Sequence, residues 1–406
     1  MHSFIRPRHS WRTIKFDELA EIYASTALRA LGFSVVGIFV PVYLYKLGVQ
    51  LDQIFLFYVF FFVFRLPVNF VVAFIVGKIG PKHSIGLSTF FYIIFLLFLL
   101  TFEVHLWPLW FLAAIFSVSN GLFFTSYHTD FSKIKDSKHG GKELSYLIIF
   151  EKIGGALGPL IGGILATLIS PEATIIAAII ILGSSQVPLL FSGEPVRTNQ
   201  HIKFKGFPWR IFKQDYISLS ANNIDRIASV VAWPLLIAVV VFVDDTYIKL
   251  GALITFSTIF SIFVARLFGR AIDSGRGLRL LQLSTWLNMI LHLCKPFGLN
   301  PVGAVGISLL NESVSLAYGM PITKGFYDQT DTVEGYRIVY ITVTESINAL
   351  AKACYWIVLF VLSQVYDPVT VLTWSFLAVG LVSTGVLFQR FPALKKGIIP
   401  NYNDKA

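Results

Sequence analysis

Roughly a dozen apolar stretches, each about 20 residues long, run from Leu19 to Phe388, and the Lys and Arg residues between them fall in every second gap. Only helices and closed barrels satisfy their backbone polar groups inside lipid, and stretches of this length suit helices. The pattern therefore predicts an all-α integral membrane protein of about 12 transmembrane helices. One set of gaps holds Arg6, Arg8, Arg12 and Lys15, then Lys78 and Lys82, Lys133 to Lys142, Arg197 to Lys213, Arg270 to Arg279, Lys324 to Arg337, and Arg390 to Lys405. The opposite gaps carry only Lys46, Lys249 and Lys295. Cations mark the cytoplasmic face, so the N- and C-termini are both expected there and the number of spans is even.

Composition agrees and excludes a soluble fold. Mean hydropathy is +0.70, and only 14% of residues are charged, against about a quarter in soluble domains. The net charge of +10 does not point to nucleic acid, because the cations sit in short loops where topology and lipid headgroups account for them. Cys294 and Cys354 both fall within apolar spans and read as packing residues, neither a disulfide framework nor a metal set. The first apolar stretch is too long for the apolar core of a signal peptide and is expected to stay as the first helix.

The predicted spans are 19–44, 53–76, 84–102, 106–128, 144–169, 173–191, 217–243, 250–269, 279–296, 301–322, 337–364 and 369–388. The longest polar segment follows the sixth span and contains the run Phe207, Trp209, Ile211, Phe212, which predicts a linker lying along the cytoplasmic membrane surface. The expected organisation is a six-helix bundle over 1–192, a linker over 193–216, a second bundle over 217–388 and a basic tail over 389–406. The fifth spans of the two halves match in register: Tyr146, Glu151 and Ile153 recur as Tyr340, Glu345 and Ile347. Tandem helical repeats are how many transporters build alternating access around a site at the membrane midplane.

With cytoplasmic termini, two halves of six spans and a cytoplasmic linker, the chain resembles the major facilitator superfamily along its whole length. The superfamily's loop motif between helices 2 and 3 is degraded here to Ala73, Gly77, Lys78, Gly80, Pro81 and Lys82, with Gly77 where an aspartate is usual. Its counterpart between helices 8 and 9 survives in part as Gly269, Asp273, Gly275 and Arg276. The resemblance implies a cytoplasmic gate at these loops, with Lys78, Gly80, Asp273 and Arg276 as its residues; an ordinary helix turn fits the same residues. In span five, Gly154, Gly158, Pro159, Gly162 and Gly163 reproduce a pattern found in drug/proton antiporters of the superfamily. Glycines so spaced let another helix approach closely, and Pro159 loosens the helix. Ser117 stands where that subgroup carries a buried arginine, before Asn120 and Gly121.

Arg29, Arg65, Glu151, Lys152, Asp225, Arg226, Glu312, Glu345 and Lys352 all fall inside predicted spans. Unpaired at helix centres, nine ions would cost more than roughly 20 kcal/mol, so they must face a wet cavity or one another. Glu18, Glu21 or Ser25, and Arg29 share a face of span one; Glu345, Asn348 and Lys352 share one in span eleven. In the superfamily spans one, four, seven and ten line the cavity. On that basis Arg29, Asn120, Asp225, Arg226, Asn311 and Glu312 are expected near substrate, and Arg65 of span two is placed with them. Glu151, Lys152, Glu345 and Lys352 are expected to carry protons or form a gate, since a coupled carrier needs carboxylates that take up and release protons. Ion pairs that merely lock the bundles explain the same residues. Five cations against four carboxylates suit an anionic or zwitterionic solute.

The expected function is secondary active transport of a small organic solute in the plasma or inner membrane, driven by an ion gradient, with protons the favoured ion. No enzyme activity, metal, nucleotide or other cofactor is implied, and the partners are a small-molecule solute and membrane lipids; a monomer is plausible. The alternatives are a lipid or amphiphile translocator of the same fold and, further off, a non-transporting receptor or assembly partner.

Overall fold

The computed structural model describes residues 24–134, 140–187, 200–271, 276–331 and 335–391. Among them are twelve long helices: α1 Ala24–Lys46, α2 Leu51–Ile79, α3 Pro81–Leu100, α4 Leu109–Ile134, α5 Gly140–Leu168, α6 Pro171–Ser184, α7 Lys213–Val240, α8 Thr246–Ala271, α9 Gly277–Cys294, α10 Pro301–Asp331, α11 Arg337–Ser363 and α12 Pro368–Phe388. Eight of these satisfy length and apolar composition for a membrane span on their own. The four that do not are α5, α6, α9 and α10. Of these, α9 and α10 carry Asn288, His292 and Asn311, all buried among other helices.

The helices form two six-helix bundles, α1 to α6 and α7 to α12. Within the first, α4 packs on α2 and α3, and within the second, α10 packs on α8 and α9. Two long seams join the bundles, α2 against α11 and α5 against α8. Large buried side chains fill the half away from the cytoplasm, among them Phe55, Phe57, Phe95 and Trp356, while Phe131, Phe326 and Tyr340 belong to a second cluster nearer the cytoplasm.

Glycine and proline set the close approaches. A Cβ on Gly154 would collide with the backbone of Ala27, one on Gly158 with Ser34 and one on Gly162 with Val35, so α1 lies directly in the groove of α5. Gly163 faces the other way, against the backbone of Tyr247 and Ile248 at the start of α8. Gly80 has φ 87° and is followed by Pro81 at the first turn of α3, which makes the tight reversal between α2 and α3 possible. A π-helical turn at Ala228–Ala232 interrupts α7 just before Pro234, whose ring lacks an N–H and crowds the preceding turn.

Two helices run past their predicted ends. α4 continues beyond 128 to Ile134 and α10 beyond 322 to Asp331, so His128, Asp130, Tyr327, Asp328 and Asp331 lie on helices and do not follow them. Polar side chains end a hydropathy run without ending a helix when a neighbouring helix supplies their partners. In the linker, Phe207 and Phe212 turn inward, Phe212 onto Tyr340, while Trp209 and Ile211 remain exposed. Glu18, Glu21, Asp273 and Gly275, named above from sequence, lie outside the described residues.

Candidate functional site

The α2/α11 seam brings ionisable groups together near the middle of the helices. Arg65 stands at the centre of α2, 2% exposed. Its Nη1 donates to Asn120 Oδ1 of α4 at 2.5 Å, and its Nη2 to Glu345 Oε2 of α11 at 2.5 Å. The first bond ties two helices of one bundle; the second crosses to the other bundle. Glu345 is itself buried, and its Oε1 lies 4.0 Å from Nε2 of His128. The other ring nitrogen of His128 shares a hydrogen bond of 2.7 Å with the hydroxyl of Tyr327 on α10. The carboxylate thus faces a guanidinium on one oxygen and an imidazole on the other, in surroundings where charge-assisted bonds are strong.

A second ion pair crosses the bundles between Lys152 of α5 and Glu312 of α10, each about a quarter exposed. Lys352, one face of α11 along from Glu345, donates to Asn223 Oδ1 at 3.0 Å and sits 5.1 Å from the ring of Phe62 on α2. Arg226 is exposed, and its charge is felt by His128, Tyr327 and Lys352. Glu151, partly exposed, acts on Tyr327 as well. Asn311 Oδ1 accepts from Ser229 Oγ at 3.3 Å, on the π-turn of α7. Of the residues singled out from sequence, Arg65 and Glu345, and Lys152 and Glu312, meet across the bundles, and Lys352 reaches Phe62 of the other bundle.

Two residues expected there are elsewhere. Asp225 turns into the second bundle, where Oδ1 accepts from Asn288 Nδ2 at 2.8 Å and His292 Nε2 at 2.5 Å. Successive helical residues point roughly 100° apart, and here Asp225 faces α9 while Arg226 is exposed. Arg29 turns into the first bundle, donating to Thr89 on α3 with its guanidinium 3.9 Å from the ring centre of Phe123 on α4. Its Nε and Nη2 find no acceptor among the described residues. Beside them Ser25, Thr26 and Asp130 border a cavity of about 10 Å³, room for about one water.

Cross-bundle contacts occur at both ends as well as the middle. On the cytoplasmic side Arg337 donates to the carbonyl of Ser132, and Asn69 Nδ2 donates to Ser346 Oγ at 3.4 Å. On the opposite side Tyr58 stacks on Trp356 with ring centres 4.6 Å apart, and Lys46 Nζ donates to the carbonyl of Val243 at 3.1 Å. At the α2–α3 loop, Gln200 N donates to the carbonyl of Gly77 at 2.8 Å. A side chain at 77 would press on Ile202 and on the carbonyl of Gln200, so the glycine standing in place of the usual aspartate makes room for the linker. Lys78 and Arg276 are exposed at helix ends.

His292 and Lys295 were not singled out from sequence, yet both are fully buried. Their signal is the spacing Asn288, His292, Lys295, a polar stripe on one face of α9 ending at a cation that topology alone would assign to the outer loop. Thr255, which accepts from the backbone N–H of Leu160 at 3.1 Å, has no sequence signal of its own.

A sequence profile of the Major Facilitator Superfamily matches residues 22–394. Two solved structures share the architecture. A variant of the fucose:proton symporter FucP of E. coli aligns with TM-score 0.64 and 14% identity, over 91% of this chain and 97% of that one. A major facilitator transporter, FucP, in the outward conformation, aligns with TM-score 0.63 and 14% identity over the same shares. No curated protein matches the chain by sequence.

Proposed function

The chain belongs to the major facilitator superfamily, and from that premise we propose that this multi-pass secondary transporter moves a small organic solute across the plasma or inner membrane by alternating access, with protons as the coupling ion. The observation that carries the reading is the pair of ion pairs that bridge the bundles, Arg65 with Glu345 and Lys152 with Glu312. A bilayer interior makes an isolated ion expensive, so each pair holds its two bundles together for as long as both partners are charged. Protonating the carboxylate removes the attraction and leaves a cation free to engage a solute.

The balance of charge gives the solute class. Arg29 and Asp225 each turn into their own bundle, and without them the ionic residues singled out within the spans are four cations, Arg65, Lys152, Arg226 and Lys352, against three carboxylates, Glu151, Glu312 and Glu345. One surplus positive charge favours an anionic or zwitterionic solute. In the cycle, a solute carboxylate or similar anion competes with Glu345 for Arg65, and the displaced Glu345 takes the proton.

A lipid or amphiphile as cargo is the second reading, favoured by an apolar groove of about 550 Å³ lined by Trp209, Ile217, Ile224 and Val382. Purified protein in liposomes separates the two. Thermal stabilisation is screened across organic anions and zwitterions, and a trapped pH dye then reports proton movement on addition of each stabilising compound. The proposal predicts a stabilising solute that moves protons with wild type and not with Glu345→Gln. Lipid scrambling without any such solute would replace it with the second reading.

A further inference from the structure

Inside the second bundle, away from the space between the bundles, three ionisable side chains form a continuous hydrogen-bonded chain. Asp225 Oδ1 lies 2.5 Å from His292 Nε2, and His292 Nδ1 lies 3.2 Å from Lys295 Nζ. Asp225 is 2% exposed, and His292 and Lys295 are wholly buried. The backbone of Lys295 belongs to the short extracellular turn Lys295–Phe297, whose Phe297 is 74% exposed, so the ammonium hangs one side-chain length inside the outer surface. We propose that Asp225, His292 and Lys295 form a proton-exchange site that takes up protons from the extracellular side. The proposal rests on the proton-coupled reading above and locates one station of the coupling proton.

The donor geometry dictates the chemistry. An ammonium can only donate, so Nδ1 of His292 accepts from Lys295; the neutral ring then carries its hydrogen on Nε2 and donates it to Asp225. One concerted step is open to this arrangement. A proton passes from Nζ to Nδ1 as another passes from Nε2 to Oδ1, leaving a neutral amine, the other tautomer of a neutral imidazole and a carboxylic acid. Protons and net charge are conserved, while one buried cation and one buried anion disappear. The amine then gains a proton from the extracellular side, and the acid is loaded.

The surroundings fit a site whose charge changes. Trp233 and Phe376 hold the ammonium between ring faces, at 5.4 and 4.9 Å, which stabilises the cation without a fixed second anion. Tyr318 of α10 is a further titratable group near Asp225 among the described residues, and its hydroxyl donates to the carbonyl of Ser383 at 3.2 Å. Lys295 Nζ also donates to Ser229 Oγ at 3.4 Å, and Ser229 in turn donates to Asn311 Oδ1. Glu312 is the next residue along α10, so a change of charge at Lys295 reaches the wall that carries the Lys152 pair. Ser229 occupies this position because it sits on the π-turn, and such turns recur at functional sites.

The test uses the full chain in liposomes with ¹⁵N-labelled histidine, the His292 ring being identified by its loss in His292→Gln. Across a pH titration the Nδ1 resonance of His292 is expected to move in wild type as Lys295 gives up its proton. It is expected to stay fixed in Lys295→Arg, which keeps the charge and the donor but does not deprotonate. Should Lys295→Arg fail to fold, Lys295→Gln supplies the same fixed response as a neutral donor. A resonance that stays fixed in wild type, or moves equally in the variant, overturns the proposal. Proton movement on addition of a stabilising solute is expected to slow on the order of a hundredfold in Lys295→Arg, with stabilisation by that solute retained. Equal proton movement in both proteins overturns this site and leaves proton coupling standing. If wild type moves no protons with any solute, coupling fails, and the histidine titration still decides whether the triad exchanges protons.

Discussion

The two seams between the bundles occupy equivalent places in the repeat, since α2 and α8 are the second helices of their halves and α5 and α11 the fifth, yet they are built from opposite materials. The α2/α11 seam is held by side chains: the Arg65–Glu345 pair, Asn69 with Ser346, and Tyr58 stacked on Trp356. The α5/α8 seam is held by backbone. Gly163 lies on Tyr247 and Ile248, Gly251 lies on the carbonyl of Pro159, and the N–H of Leu160 reaches Thr255. An ionic seam can be opened by one proton. Helices that approach through glycine carry no bulky side chain at those points, which lets one pivot on the other at short range. On the proposed reading the α2/α11 contact carries the Arg65–Glu345 switch and the α5/α8 contact the hinge, while the Lys152–Glu312 pair is a second titrating contact that ties α5 to α10.

The largest expected effect comes from breaking the ionic seam on one side only. Glu345→Leu leaves Arg65 buried and uncompensated, and a broken buried pair costs about 3–5 kcal/mol, so thermal unfolding in detergent should fall steeply. Adding Arg65→Met should recover most of that loss, because an apolar pair of similar volume replaces two ions. A double variant no more stable than Glu345→Leu would mean that the pair is not what holds this seam. The sign of the pH effect follows from the same chemistry. Protonated Glu345 has no charge to attract Arg65, so acidification should lengthen spin-label distances across α2/α11, leaving those across α5/α8 unchanged.

Next in size is overpacking the glycine seam. Gly251→Val would drive a side chain into the carbonyl of Pro159, at about 1–3 kcal/mol, and should hold the bundles apart at every pH. Equal spin-label distances in Gly251→Val and wild type would show that the seam has slack, and would remove the basis for calling it a hinge.

Much of this was legible in the sequence because hydropathy and charge report directly on the bilayer. Twelve spans, their orientation and the two halves follow from where Lys and Arg fall, and the glycines of α5 announce a close neighbour by their spacing alone. What the pattern could not carry is rotation and partnership. Asp225 and Arg226 are adjacent in sequence and both ionic, and only packing decides that one faces α9 while the other is exposed. Lys295 follows the rule for an outer-loop cation until its side chain folds inward onto His292. α4 and α10 run past the predicted ends for a related reason: the polar residues there, His128 and Tyr327, are each other's partners on two helices.

The smallest effect sharpens the contrast most finely. Pro159 has no N–H for the carbonyl of Gly155 one turn earlier and crowds it, and the N–H of Leu160 points to Thr255 of the opposite bundle, a polar contact of this seam that involves no charge. Thr255→Val removes the acceptor at nearly constant volume, and the net loss should be about 0.5–1.5 kcal/mol, seen as a modest fall in the unfolding temperature. The loss should be the same at pH 5 and pH 8, on a scale set by the ionisable groups of the protein. A pH-dependent loss would couple the backbone seam to a titrating group and dissolve the division between hinge and switch. A pH-independent loss, beside a pH-dependent one at Glu345, would leave each seam with its own chemistry.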